Sequence, residues 1–277
     1  MNRTFSCEFF PPKTEAGLEK LLNTSATLKK EMNPEFFSVT FGAGGSTRER
    51  TFNAVSNIIE HTGVPTAPHL SCIGSTKDEI AEILENYKAQ GIIRLVALRG
   101  DLPSGMYSAG ELNYANELIA FIREKTGDHF HIEVAAYPEF HPQAESPKKD
   151  LEYFKQKVDA GANSAITQYF YNVDAYYQFV DDCELMGIDI PIIPGIMPIT
   201  NFTNLARFSD ACGAEIPRWI RRRLADFHDD VDSLKAFGAD VVTDMCQRLL
   251  DNGVPGLHFY SMNQTESTLA IWNELDK

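Results

Sequence analysis

Positive charge is scarce in this chain. Its 25 Lys and Arg face 39 Asp and Glu, a net charge of -14 at neutral pH. That balance argues against nonspecific binding to nucleic acid or to an anionic membrane surface. No apolar run reaches the length of a membrane-spanning helix. The first residues, Met1-Asn2-Arg3-Thr4-Phe5, lack the apolar core of a signal peptide, so a cytoplasmic location is expected. The five cysteines (Cys7, Cys72, Cys183, Cys212, Cys246) are odd in number, widely scattered and without a C-x-x-C pair. Reduced, mostly buried thiols fit this better than a disulfide frame or a zinc site. The seven histidines show no H-E-x-x-H or similar spacing, so no metal is expected. A dinucleotide fingerprint is also missing. The first strand-to-helix turn, Glu8-Phe9-Phe10-Pro11-Pro12-Lys13, has no glycine, and Gly42-Ala43-Gly44-Gly45 lacks the G-x-G-x-x-G spacing.

What is present is an alternation. Strand-like runs over Thr4–Phe10, Glu35–Thr40, Pro65–Cys72, 92–98, His129–Tyr137, Ser164–Phe170, Pro191–Ile196 and Gly256–Ser261 are separated by amphipathic helical stretches. Punctuation supports the boundaries. Pro11-Pro12 ends the first strand, Ser46 or Thr47 can cap the helix after the second, and Thr76-Lys77-Asp78-Glu79 is a capping box. The helix after the fourth strand is expected from about Glu111 to Lys125. Eight such alternations over 277 residues predict an α/β chain folded as one (β/α)8 TIM barrel spanning 1–277. Extra helices over Asn201–Cys212, Arg218–Phe227 and Val231–Leu250 fall between strands seven and eight. Arg218-Trp219-Ile220-Arg221-Arg222-Arg223 reads as a charged helix face, or as a landing site for an anionic tail.

In such barrels chemistry is built at the carboxyl ends of the strands. Those ends carry Glu8, Thr40, His69, Asp101, Tyr137, Gln168 and Tyr260. Period-2 alternation in Phe5-Ser6-Cys7-Glu8-Phe9 puts Ser6 and Glu8 on one face. An inward carboxyl among aromatic rings loses hydration, which raises its pKa toward that of a general acid; a Glu paired to a buried base is the other reading. Asp101 follows Arg99 and Gly100 and is expected to stay ionised. One acid and one fixed negative charge is a division of labour suited to a cationic intermediate.

Several motifs in order then carry a resemblance. They are Glu8-Phe9-Phe10-Pro11-Pro12-Lys13, Ser38-Val39-Thr40-Phe41-Gly42-Ala43, Ala67-Pro68-His69-Leu70, Ala97-Leu98-Arg99-Gly100-Asp101, Ala135-Ala136-Tyr137-Pro138-Glu139, Asp159-Ala160-Gly161-Ala162-Asn163, Ile166-Thr167-Gln168 and Pro194-Gly195-Ile196. The chain resembles the bacterial methylenetetrahydrofolate reductases over nearly its whole length. The resemblance implies noncovalent FAD, NADH (favoured over NADPH) as co-substrate, and ping-pong hydride transfer to 5,10-methylenetetrahydrofolate. It also implies a place in one-carbon metabolism and methionine supply, self-association into a homo-oligomer, and no regulatory domain after the barrel.

By the same resemblance Glu8 protonates folate N10, while Asp101 stabilises the resulting 5-iminium cation and touches both flavin and pterin. Gln168 reads the pterin edge, and Phe208 packs against nicotinamide or folate; Asn204 and Gln264 complete the substrate set. FAD contacts are implied at Thr40, Phe41, Ala43, His69, Arg99, Gly100, Asp101, Tyr114, Ala115, Tyr137, His141, Ala144, Asp150, Tyr153, Gln156 and Lys157. Three positions depart from the family pattern. Tyr153 and Gln156 stand where an amide and an arginine are usual, and Gln264 replaces a basic residue. The other readings are another flavin barrel, such as a proline dehydrogenase, and a non-catalytic flavin- or folate-binding barrel. The first would need a carboxylate clamp of paired arginines at strand ends, which nothing here marks, and the second has no need of a desolvated acid beside a second carboxylate.

Overall fold

A computed structural model describes residues 3–41, 45–101 and 110–277, with the backbone alone at 45–47. The ordered elements are β1 (Thr4–Phe9), α1 (Glu15–Met32), β2 (Phe36–Val39), α2 (Gly45–Thr62), β3 (Thr66–Ser71), α3 (Lys77–Ala89), β4 (Arg94–Leu98) and α4 (Ala115–Thr126). They continue as β5 (His131–Ala136), α5 (Pro147–Asp159), β6 (Ser164–Thr167), α6 (Val173–Leu185), β7 (Ile192–Ile193) and β8 (Gly195–Ile196). The chain closes with α7 (Phe202–Cys212), α8 (Arg218–Asp226), α9 (Val231–Asp251), β9 (Gly256–Tyr260) and α10 (Glu266–Trp272).

All strand pairs are parallel, in the order β7-β6-β5-β4-β3-β2-β1-β9-β8. β7 and β8 are the two halves of the expected seventh strand. Ile192 and Ile193 pair with β6, and Gly195 and Ile196 pair with β9. The break falls at Pro194, which has no N–H to give a ladder, while its carbonyl accepts His258 N–H at 2.9 Å. One short strand thus reaches both neighbours, and the sheet closes as a TIM barrel. Gly195 sits where the walls meet. A Cβ there would lie 2.1 Å from Thr167 O and 2.8 Å from the Tyr260 hydroxyl.

Two hydrophobic layers result. Between strands and helices lies a large core built from residues such as Phe9, Phe37, Leu70, Leu84, Ile119, Val134 and Leu249. Inside the barrel lies a small cluster, Phe36, Ala67, Val96 and Ile166, with Leu98 and Tyr260 against it. The amino end of the barrel is closed by charge rather than carbon. Glu133 is fully buried and takes the Arg94 guanidinium at 2.5 Å, His131 Nε2 at 3.2 Å and the Ser164 hydroxyl. This accounts for Arg94, the one charge in an otherwise apolar strand. Burying two charges costs less when they meet at hydrogen-bond distance.

Two local signals hold, and one does not: α2 already begins at Gly45, so Ser46 and Thr47 lie inside the helix and not at its cap. Thr76 and Glu79 form the capping box on α3, and Pro147 opens α5 with Ser146 as its cap. Several boundaries differ. α4 starts at Ala115, not near Glu111, because the Glu111 carboxylate instead accepts Lys77 N–H at 2.7 Å, at the start of α3. β1 ends one residue early, where Phe10 N–H turns to the Asn263 side chain at 2.8 Å. All five thiols are free, and four are buried. Among the described residues no helix is long and apolar enough to cross a membrane.

Candidate active site

Two adjoining cavities open at the carboxyl ends of the strands. The inner one, about 500 Å³, has Glu8, His69, Leu98, Asp101, Tyr137, Gln168, Phe208 and Tyr260 among its walls. The outer one, about 590 Å³, runs over Arg99, Gly100 and Asp101 toward Tyr114, Ala115, His141, Ala144, Asp150, Tyr153, Gln156 and Lys157. Asp101, Leu98, Ala135, Tyr137, His141 and Gln143 line both. The elongated double cleft therefore brings together most of the residues expected from sequence.

Each is positioned by the end of its strand. Glu8 lies opposite Tyr260 and Ser38 in the ladders of β1 with β9 and β2. Its carboxylate meets two imidazoles, His69 Nε2 at 3.1 Å and His258 Nε2 at 3.7 Å. This corrects the expectation of a raised pKa. Burial pushes the Glu8 carboxyl up, but the charge of His69, the close approach of the His258 and His69 ring nitrogens, and the charge of His258 outweigh it and hold the group at about 2. Glu8 is thus the carboxylate of a buried acid–base cluster, the paired reading of the two. His258 itself is missed by motif reasoning, although alternation on β9 places it on the inward face with Tyr260.

Gln168 lines the inner cavity, and its Oε1 accepts Tyr169 N–H at 3.0 Å, which leaves the amide NH2 as a donor. Phe208 projects from α7 with 38% of its surface exposed, and the Arg207 guanidinium lies 5.3 Å from its ring. Tyr169, Met197, Cys212 and Met262 join the wall without having been singled out by sequence. Asp101 is exposed at the mouth.

The outer cavity is polar, with Arg99, His141 and Lys157 set among the carboxylates of Asp101, Glu145 and Asp150. Arg99 donates to Gln143 Oε1 at 2.6 Å and to Gly100 O at 3.1 Å. Asp150 accepts His141 N–H at 2.9 Å. Lys157 hydrogen-bonds Ala135 O, and burial lowers its ammonium to about 8 against the raising effect of Asp150. A buried cation whose proton is weakly held is a natural seat for an anion. Tyr114 and Tyr153 stay 59% and 43% exposed at the outer end, and the Tyr153 hydroxyl donates to Glu145 at 3.2 Å. Phosphate at the centre and a flat ring against the tyrosines are what such walls suit, so the residues fit a dinucleotide such as FAD.

Some expected residues stand apart. Thr40 and Phe41 end β2 outside the walls of either cavity, and Ala43 lies outside the described residues. Asn204 is exposed in the first turn of α7 and Gln264 in the turn after β9, neither in a cavity wall. Among the described residues no cluster of His, Cys, Asp and Glu suits a metal ion.

Comparison with known proteins agrees with this geometry. The family model "Methylenetetrahydrofolate reductase" matches residues 1–276. The 5,10-methylenetetrahydrofolate reductase of Escherichia coli is 43% identical over 270 residues, covering 98% of this chain and 90% of that one. That of Pectobacterium carotovorum is 41% identical, with 98% and 89% covered. Methylenetetrahydrofolate reductase (NADH) 1 of Arabidopsis thaliana is 40% identical over 96% of this chain, which spans 47% of the plant protein. Among solved structures, a Clostridium thermocellum protein that binds two copies of 5-methyl-5,6,7,8-tetrahydrofolic acid superposes with a TM-score of 0.67 at 17% identity, covering 98% of this chain and 93% of that one. At that identity the likeness speaks for the barrel alone. Sequence identity along nearly the whole chain, on a barrel with its polar residues gathered at one rim, shows that the chain belongs to the methylenetetrahydrofolate reductase family of enzymes.

Proposed function

We propose that this chain reduces 5,10-methylenetetrahydrofolate to 5-methyltetrahydrofolate, with NADH as reductant and FAD as resident cofactor, the two substrates using one place in turn. One observation carries the reading. Asp101 lines both the cavity that contains Glu8 and the polar cleft, with Arg99 and Lys157 in its wall, that suits a dinucleotide, so one carboxylate borders cofactor and substrate alike. FAD bound in the outer cleft supplies a centre that accepts a hydride from NADH and gives one to folate.

The chain's own residues do the rest. Lys157, Arg99 and His141 offer positive charge or N–H donors to the pyrophosphate, and Tyr114 and Tyr153 offer faces to the adenine. Gln168 donates to the pterin edge, and the exposed ring of Phe208 covers the flat substrate. Glu8 gives a proton to N10, opening the five-membered ring of the folate. Glu8 is ionised, so that proton is drawn from the imidazole of His69, 3.1 Å away. The 5-iminium cation then forms beside Asp101, whose negative charge lowers its energy. Consistent with this role are a cytoplasmic location, a part in one-carbon metabolism and methionine supply, self-association, and one barrel over 1–277.

A visible spectrum tests the reading. The purified protein is expected to bind FAD, bleach on adding NADH, and recover its colour when 5,10-methylenetetrahydrofolate is added without oxygen. A protein that binds no flavin, or whose reduced flavin ignores the folate, would refute it.

A further inference from the structure

Behind Glu8 lies a group that the reaction as written does not use. His258 is fully buried in β9, inside the barrel. Its ring is held on every side. Phe36 stacks at 6.1 Å and 25°, Tyr260 packs edge-on at 5.4 Å, and Nδ1 meets the Ser6 hydroxyl at 2.7 Å. That leaves Nε2, which is buried, makes no well-directed hydrogen bond, and faces Glu8 Oε2 at 3.7 Å. His69 Nε2 is in the same condition 3.1 Å from the same oxygen. A buried imidazole nitrogen without a directed partner costs free energy unless it serves a changing neighbour.

We infer that His258, fixed by Ser6, is a positioning residue that holds the Glu8 carboxylate from below and sets how tightly it binds the proton it passes to folate. The assignment rests on the proposed reduction. The two histidines differ in access. His69 is 7% exposed and borders the cavity, so it can regain a proton from solvent after each turnover. His258 has no exposed surface and can only tune. With Ser6 as donor to Nδ1, Nε2 carries a ring hydrogen on the side that faces Glu8. Proton balance is simple: His69 gives one proton to Glu8, Glu8 gives one to N10, and both return to their starting forms when solvent reprotonates His69. Other titratable groups near Glu8 are Tyr260 on β9 and, farther out in the same cavity, Tyr137, His141 and Asp101. Ser38, across β2, is buried with its hydroxyl unpartnered.

The test uses His258→Asn and Ser6→Ala in FAD-loaded protein, with the two half reactions followed separately across pH. Flavin reduction by NADH should stay within about twofold of wild type, since it needs no proton from Glu8. Reoxidation by 5,10-methylenetetrahydrofolate should slow about tenfold in His258→Asn, less than the ~10²–10⁴-fold loss expected for removing an acid. Its pH midpoint should move up, because a carboxylate with one imidazole fewer binds its proton more tightly. Ser6→Ala should move the midpoint the same way by less. A midpoint that stays or falls in His258→Asn, or equal slowing of both half reactions, overturns the inference. Should His258→Asn not fold, Ser6→Ala decides alone, and an unmoved midpoint there overturns it. A wild-type protein reduced by NADH but not reoxidised by the folate overturns the proposed function, and this inference with it.

Discussion

At the scale of single residues, environment decides the chemistry of the two carboxylates. Glu8 lies among two imidazoles and is ionised in spite of burial, whereas Asp101 stands exposed where the two cavities meet. On the proposed function, replacing Asp101 by Asn removes a charge beside the flavin and keeps the side chain's size. The flavin midpoint potential should rise, since a reduced anionic ring no longer faces a negative neighbour, and folate reduction should slow more than flavin reduction. Redox titration of the two proteins checks this; equal potentials would mean that the carboxylate does not sense the ring. Glu8, Asp101 and Gln168 were legible as polar side chains at or just past the carboxyl ends of strand-like runs. The lowered pKa of Glu8 was not legible, because both partners come from other strands, 61 and 250 residues away by their numbers (69 - 8 and 258 - 8). No local pattern in β1 reports them.

At the scale of elements, α5 carries Tyr153 and Gln156, where the resemblance implies an amide and an arginine. Tyr153, Gln156 and Lys157 all face the outer cavity from this helix. Gln156→Arg would add a charge-assisted donor, roughly twice as strong as a neutral one. It should slow FAD release on dilution and leave FMN, which lacks the adenosine half, unchanged; equal effects on both flavins would show that α5 does not border that half. Lys157 gives a pH signature. Its ammonium is lowered by burial from 10.5 to about 8, so the folded state binds this proton less tightly than the unfolded chain. The resulting penalty is full below about 8 and is relieved as pH rises toward 10.5, so this group makes stability increase with pH in that window. A bound pyrophosphate restores the proton. FAD binding near pH 9 should therefore take up protons, seen as a dependence of the calorimetric heat on buffer ionisation, and Lys157→Met should abolish it. The start of α3 was readable from sequence, because Thr76 and Glu79 form a capping box. The start of α4 was not, because Tyr114 gives no side-chain cap and Glu111 is drawn to α3.

At the scale of the whole molecule, eight alternations of strand and helix were enough to read the barrel, because each apolar run is bounded by proline, glycine or a cap. What escaped is how it closes. Pro194 splits the seventh strand, and only the tertiary pairing of its halves with β6 and β9 reveals that one strand serves both edges. Nor did the strand pattern announce that the amino end is sealed by Glu133 and Arg94, while the carboxyl end gathers Glu8, His69 and His258. Among the described residues the fold thus places a buried charge cluster at each end, and the one around Glu8 borders a cavity. The central claim is that Glu8 acts in the folate half of the reaction alone. Stopped-flow absorbance of FAD-loaded Glu8→Gln tests it most directly. The account predicts normal bleaching by NADH, followed by reoxidation with 5,10-methylenetetrahydrofolate slowed by ~10²–10⁴-fold. Reoxidation at the wild-type rate, or both steps slowed alike, would contradict it.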